Sequence, residues 1–254
     1  MTEKQIIKIF PSVDNLSDFF AEFLKQQVDE IPDNNFFSIA LSGGSTPEKI
    51  YRHISENYRD KINWDKIKIF FGDERCVPPD SEESNFKMAN ENLLKNIKIP
   101  EKNIFRIKGE NNPKEEAARY EEELKNNIPV KNGIPKFDLI MLGLGKDGHT
   151  ASIFSNHIDL FFASRLCSVA VHPKTKRERI TITGKVINNA KLVTFIVTGE
   201  KKAVILNRLF SNDNSERKFP AAFVSPKDGK IIWILDQDAA RLLNSGTAFT
   251  GKHK

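Results

Sequence analysis

A chain of 254 residues, 39% hydrophobic and 29% charged, can bury a sizeable core and does not have the composition of a disordered protein. Its net charge of +5, with a pI near 9.0, favours anionic partners: nucleic acid, a membrane surface or a phosphorylated metabolite. Nucleic acid is disfavoured because the basic residues are interleaved with 34 acids and no helix-turn-helix, RNP or zinc-finger pattern occurs. No membrane-spanning helix is expected, since no run of about 18 apolar residues is present. The N-terminal MTEKQIIKIF lacks the basic, apolar, small-residue order of a secretory signal, so a soluble cytoplasmic protein is expected. Cys76 and Cys167 form no CxxC pair, which points to buried thiols rather than a disulfide framework or a zinc site.

In chain order, apolar runs predict buried strands at Phe36 to Leu41, Ile67 to Phe71, Phe137 to Leu144, Leu192 to Val197 and Ile231 to Leu235. Helical stretches alternate with them at Pro47 to Asn57, Ser84 to Leu94, Pro113 to Asn126, Glu200 to Phe210 and Gln237 to Leu243. Strand and helix in alternation, with continuously apolar strands, predict an open α/β fold: a mostly parallel Rossmann-like sheet with helices on both faces. No repeat or low-complexity linker divides the chain, so a single domain over 1–254 is expected, with its weakest join around Lys125 to Lys136. The tail Ser245 to Lys254 reads as frayed. Thr46 before Pro47 reads as a helix N-cap followed by proline at the first helical position.

Ligands of open α/β sheets bind beyond the carboxyl ends of the strands, so the residues after each predicted strand carry the functional argument. Ser42-Gly43-Gly44-Ser45-Thr46 places two glycines before a helix N-terminus, either a phosphate cradle or an ordinary capped turn. It lacks the Gly-Lys-Ser/Thr ending of a Walker loop, so magnesium is not implied. Gly72-Asp73-Glu74-Arg75 follows the second predicted strand. It reads as a solvated turn or as the placement of an arginine at the sheet edge to meet an anion.

Gly143 to Thr150 (GLGKDGHT) contains GxGxxG, but no acidic residue about twenty positions on closes a dinucleotide site. Within it His149 stands out, because imidazole suits proton transfer near neutral pH. His53, His157, His172 and His253 lack such a loop and read as surface residues. After the fourth strand, Lys202 in a first helical turn is unfavourable for the helix dipole unless an anion lies nearby. The run Lys174, Lys176, Arg177, Arg179 could share that role. No cluster of His, Cys and carboxylates has metal-ligand spacing, so neither metal nor cofactor is expected.

Taken together, LSGGSTPEKIY, GDERCVPPDSEESNFKMANENLL, FDLIMLGLGKDGHTASIF, RITITGKVINNAK and FIVTGEKKA resemble the 6-phosphogluconolactonase family, within a fold group shared with glucosamine-6-phosphate deaminases. GDERxVP and GxGxDGHTASxF are its diagnostic pair. Ser155 stands where proline is usual and Gly184 where leucine is usual. The resemblance implies hydrolysis of 6-phospho-D-glucono-1,5-lactone to 6-phosphogluconate, the second step of the oxidative pentose phosphate pathway. It implies His149 as the base that deprotonates water, Asp147 in the same loop, and Arg75 as a substrate-contacting cation. It also implies Ser42, Gly43, Gly44, Ser45, Arg179 and Lys202 as phosphate-holding positions.

Two alternatives are separable. Amino-sugar-phosphate deaminases of this fold usually read DGHIAFNEP, whereas Ile153 to His157 contains no Glu. A non-catalytic sugar-phosphate sensor would bring a DNA-binding segment, for which the start of the chain leaves little expected room.

Overall fold

A computed structural model describes residues 5–211 and 219–243. The chain opens with β1 (Gln5–Phe10) and α1 (Val13–Asp29). Ser12 caps α1 by accepting from the Asn15 N–H, and Leu16, Phe20, Leu24 and Val28 recur every fourth residue to bury one stripe. Neither element was among those expected, because QIIKIF is short, interrupted by a lysine and lies at a sheet edge where only two residues are buried.

Expected elements follow in order, with one unexpected strand, β4, among them: β2 (Phe37–Leu41), α2 (Ser45–Asn57), β3 (Ile67–Phe71), β4 (Asp73–Arg75), α3 (Asn85–Asn92) and α4 (Pro113–Asn127). Next come a hairpin of β5 (Val130–Lys131) and β6 (Ile134–Pro135), then β7 (Leu139–Leu142), β8 (Cys167–Val171), β9 (Glu178–Ile182) and α5 (Gly184–Ile187). The chain continues through β10 (Leu192–Val197), α6 (Ala203–Phe210), β11 (Lys230–Asp236) and α7 (Gln237–Ala240).

Six strands form one sheet in the order β1-β11-β10-β7-β2-β3, every pair parallel. From β2 the chain steps outward to β3, then returns past β2 to β7 and runs on through β10 to β11. The strand order therefore reverses between β2 and β7. Continuously buried strands such as FSIAL and LIML are what a sheet covered on both faces requires.

Three expectations are corrected. Gly44, at φ 112°, is the N-cap of α2, so the helix starts at Ser45 and Thr46 lies inside it. Asp73-Glu74-Arg75 is no solvated turn: it is a strand of a second, antiparallel sheet, β4-β9-β8, and Asp73 and Glu74 are buried. α3 ends at Asn92 before a 3-10 turn, Leu94–Asn96, and α7 ends at Ala240. The tail from Ser245 and His253 lie outside the described residues. Cys167 is buried and Cys76 half-buried, both as free thiols whose pKa desolvation raises.

Candidate active site

The reversal between β2 and β7 opens a crevice at the carboxyl ends of the strands. Loops after β2, β3, β7 and β10 surround a cleft of about 380 Å³ there. Ser42, Gly43, Gly44, Ser45, Arg75, His149, Arg179 and Lys202 all line it, and Asp147 stands behind His149.

Two buried tyrosines set the strand ends from which these loops depart. The Tyr51 hydroxyl donates to Ser42 O at 2.8 Å and accepts from Ser42 N at 3.1 Å. Tyr120 does the same for Phe71, at 3.0 and 2.8 Å. The Ser42 N–H is thus already spent. What the first loop offers an anion is the start of α2: no side chain caps it, and the Ser45 and Thr46 N–H groups have no intrahelical acceptor. A hydrogen bond between the Thr46 and Thr198 hydroxyls, 2.6 Å, ties this loop to the one after β10.

The GDER strand divides its labour. Glu74 is buried and accepts from the backbone N–H of Arg75, Asn85 and Phe86 and from Ser84 Oγ, so it fixes the start of α3. Desolvation raises its pKa, which those N–H groups oppose. Asp73 accepts from Ser152 Oγ at 2.5 Å and lies 3.9 Å from Arg179 Nη1, joining β4, β9 and the loop of His149. Arg75 and Arg179 sit opposite each other across the β4–β9 ladder, and the Nε of each is buried without a partner. Like charges at directly opposed positions destabilise a sheet unless an anion bridges them. Arg75 Nη1 donates to Glu83 O. Burial lowers the pKa of Arg179.

The loop after β7 closes on itself, with Gly145 N donating to His149 O at 2.8 Å and Gly148 N to Gly145 O at 3.0 Å. No α-helix starts there, which removes the dinucleotide alternative for GxGxxG. His149 Nδ1 meets Asp147 Oδ1 at 2.5 Å. This hydrogen bond is the largest cause holding the Asp147 pKa down to about 2, against partial desolvation. Asp147 is therefore ionised and can only accept, so Nδ1 carries the proton and Nε2 is the basic nitrogen of the neutral ring. Gly145 is obligatory beside this pair, for a Cβ there would fall 2.1 Å from His149 Nδ1.

Lys202 Nζ donates to Leu144 O, and burial lowers its pKa. Among the described residues no three His, Cys, Asp or Glu side chains converge on a metal position, and no helix is long and apolar enough to cross a membrane.

The model of the glucosamine-6-phosphate isomerases/6-phosphogluconolactonase family matches residues 11–233. The chain belongs to this family. It is 43% identical over 211 residues to the 6-phosphogluconolactonase of Haemophilus influenzae, covering 83% of this chain and 89% of that one. It is 40% identical over 196 residues to the enzyme of the same name from Treponema pallidum, covering 77% and 80%. The solved 6-phosphogluconolactonase of Trypanosoma cruzi superposes with a TM-score of 0.86 at 32% identity, covering 96% of this chain and 98% of that chain.

Within this family the Gly184 departure has a steric reason: a Cβ there would lie 2.3 Å from the Phe161 ring, which occupies the space of the missing side chain. Ser155 opens a 3-10 segment, Ser155–Phe161. Of the basic run 174–179 only Arg179 reaches the cleft, and Arg177 pairs with Glu83 instead. Sequence reasoning gave no role to Asn85, Lys146 and Thr198, which also line the cleft. It also treated His172 as a surface residue. His172 packs edge-on against Phe154 at 5.0 Å, the same ring that His149 meets at 4.7 Å. Its Nδ1 accepts from Lys174 N and Thr175 N, and burial followed by Arg179 lowers its pKa.

Proposed function

We propose that this chain hydrolyses 6-phospho-D-glucono-1,5-lactone to 6-phospho-D-gluconate, the second step of the oxidative pentose phosphate pathway, in the cytoplasm. The observation that carries the proposal is the Asp147–His149 pair, 2.5 Å apart, at the wall of a cation-lined cleft. Neutral His149 takes a proton from water through Nε2 while the oxygen attacks the lactone carbonyl carbon. Arg75 stabilises the oxyanion that forms, and Asp147 stabilises the imidazolium. Collapse breaks the bond to the ring oxygen, which leaves as the C5 hydroxyl after taking the proton back from His149. The N-terminus of α2, Arg179 and Lys202 hold the phosphate.

A lactone is activated enough for one base, one cation and a firm anchor to suffice, so the step calls for no metal or cofactor. The purified protein should accelerate ring opening of freshly generated lactone above its spontaneous rate, and exhaustive EDTA treatment should leave that rate intact. No acceleration over background would reject the reaction, and a loss restored by zinc or magnesium would reject the metal-free mechanism.

A further inference from the structure

Asn85, the first residue of α3, is 3% exposed, yet it borders the cleft. Its Nδ2 donates to Asp73 O at 2.9 Å and to Asp73 Oδ1 at 3.3 Å. Both partners are acceptors, which fixes the amide orientation and leaves Oδ1 pointing away from Asp73. Among the described residues no donor reaches that oxygen, and it is not one of the sealed, unpartnered buried atoms. It lies against the phosphate loop: a Cβ on Gly43 would fall 1.8 Å from Asn85 Oδ1. Gly43 is thus required for this close approach as well as for any anion.

The charged cleft groups are largely donors: Arg75, Arg179, Lys146 and Lys202, with the Asp73 carboxylate already engaged by Ser152 and Asn85. A fixed neutral oxygen in that setting repels a phosphate or carboxylate oxygen and accepts from a hydroxyl. We propose that Asn85 is a specificity-determining residue that accepts a hydrogen bond from one hydroxyl of the sugar lactone, in the stretch between its phosphate and its carbonyl. The inference rests on the lactonase reading above and names which part of the substrate that site reads. A site that buries an acceptor for a substrate hydroxyl discriminates against the analogue lacking it, because the acceptor is then left unpaired.

The test compares 6-phosphogluconolactone with the three lactones lacking the hydroxyl at carbon 2, 3 or 4. Wild type should lose about tenfold in kcat/KM on one of the three. Asn85→Ala and Asn85→Ser should lose a similar factor on the parent lactone and almost nothing further on that one analogue, with melting temperatures recorded for both variants. Wild type that handles all four alike overturns the inference even if neither variant folds. Equal losses by a folded variant on all four substrates also overturn it, by reducing Asn85 to a structural support of Asp73. Wild type with no activity on the parent lactone would instead reject the lactonase reading, a distinguishable failure.

Discussion

The two ends of the central sheet treat buried polar groups in opposite ways. At the amino end, Asp138 Oδ2 accepts from Ser38 N and Ser38 Oγ, both at 2.8 Å, and Ser38 Oγ accepts from Asp138 N at 3.0 Å. Lys191 closes the set on Asp138 Oδ1 at 2.7 Å. At the carboxyl end, two half-buried arginines keep buried, unpartnered Nε atoms on one ladder, and Asn85 keeps a free oxygen beside them. Thr194 and Trp233 also bury one unpaired atom each, but singly and on separate strands, and His53 Nε2 lies 3.5 Å from Asp18 Oδ1. A network that satisfies itself stabilises the fold, whereas one left open by several charged groups at a crevice costs stability that a ligand returns. The cleft differs from the rest of the sheet in what it leaves unpaired.

The sharpest way to break that contrast is at His149. His149→Ala should lower kcat by roughly 10²–10⁴, the usual worth of a general base, while KM changes little. Wild-type kcat/KM should fall on the acid side, and the variant should lose that limb once hydroxide-driven opening is subtracted. Gly145→Ala should reproduce much of the loss with the imidazole still present, because its Cβ would push against His149 Nδ1 and displace the Nδ1–Asp147 contact. Near-normal turnover in His149→Ala would send the search for a base elsewhere, though not to Glu74, whose carboxylate already takes four donors.

Next in size is Arg179→Ala, which should cost about 1.5–3 kcal/mol in transition-state binding through the lost charged hydrogen bonds. It relieves the opposed-cation pair with Arg75 but also removes the cation 3.9 Å from buried Asp73 and over the Phe154 ring, so the loss of kcat/KM should exceed any change in melting temperature. An unchanged kcat/KM would show that the phosphate is anchored elsewhere. Asp138→Ala makes the reciprocal test at the closed end. Leaving the Ser38 and Lys191 groups without their acceptor should cost about 1–3 kcal/mol of stability and lower Tm, with kcat untouched. A loss of kcat with stability intact would dissolve the distinction between the two ends.

Much of the central sheet is legible in the sequence. The five apolar strands, their helices and the four loops are local signals, since continuous hydrophobic runs and glycine-rich turns declare themselves within ten residues. The antiparallel sheet was not legible, because β4 is three charged residues long and gains strand geometry only from β9, more than a hundred positions away. The same non-locality hid the division within GDER. Glu74 becomes structural and Arg75 cleft-lining only once α3 folds back to spend the Glu74 carboxylate. Thr46 misled for a different reason: a hydroxyl before proline is a good cap in isolation, but here it is spent on Thr198 in another loop.

The smallest expected effect concerns the acid range and Asp147. Its folded-state pKa of about 2 lies below the ordinary value of 3.8, so the folded protein holds that proton less tightly than the unfolded chain does. Stability from this group is fully present above the ordinary value and is lost as pH falls from there through about 2. The Asp147 side chain is 51% exposed, so solvent screens the pair and the contribution is a modest one. Melting temperatures of wild type and Asp147→Asn should therefore run roughly parallel from neutral pH down to the ordinary carboxylate value. They should then converge toward pH 2, where the wild-type carboxylate is protonated too. Activity separates the same pair differently: the Asn side chain can donate as well as accept, so it no longer compels the Nδ1–H tautomer, and kcat should drop at pH 7 where stability barely moves. A constant melting gap across the whole acid range would mean that the 2.5 Å contact orients His149 without contributing charge-dependent stability.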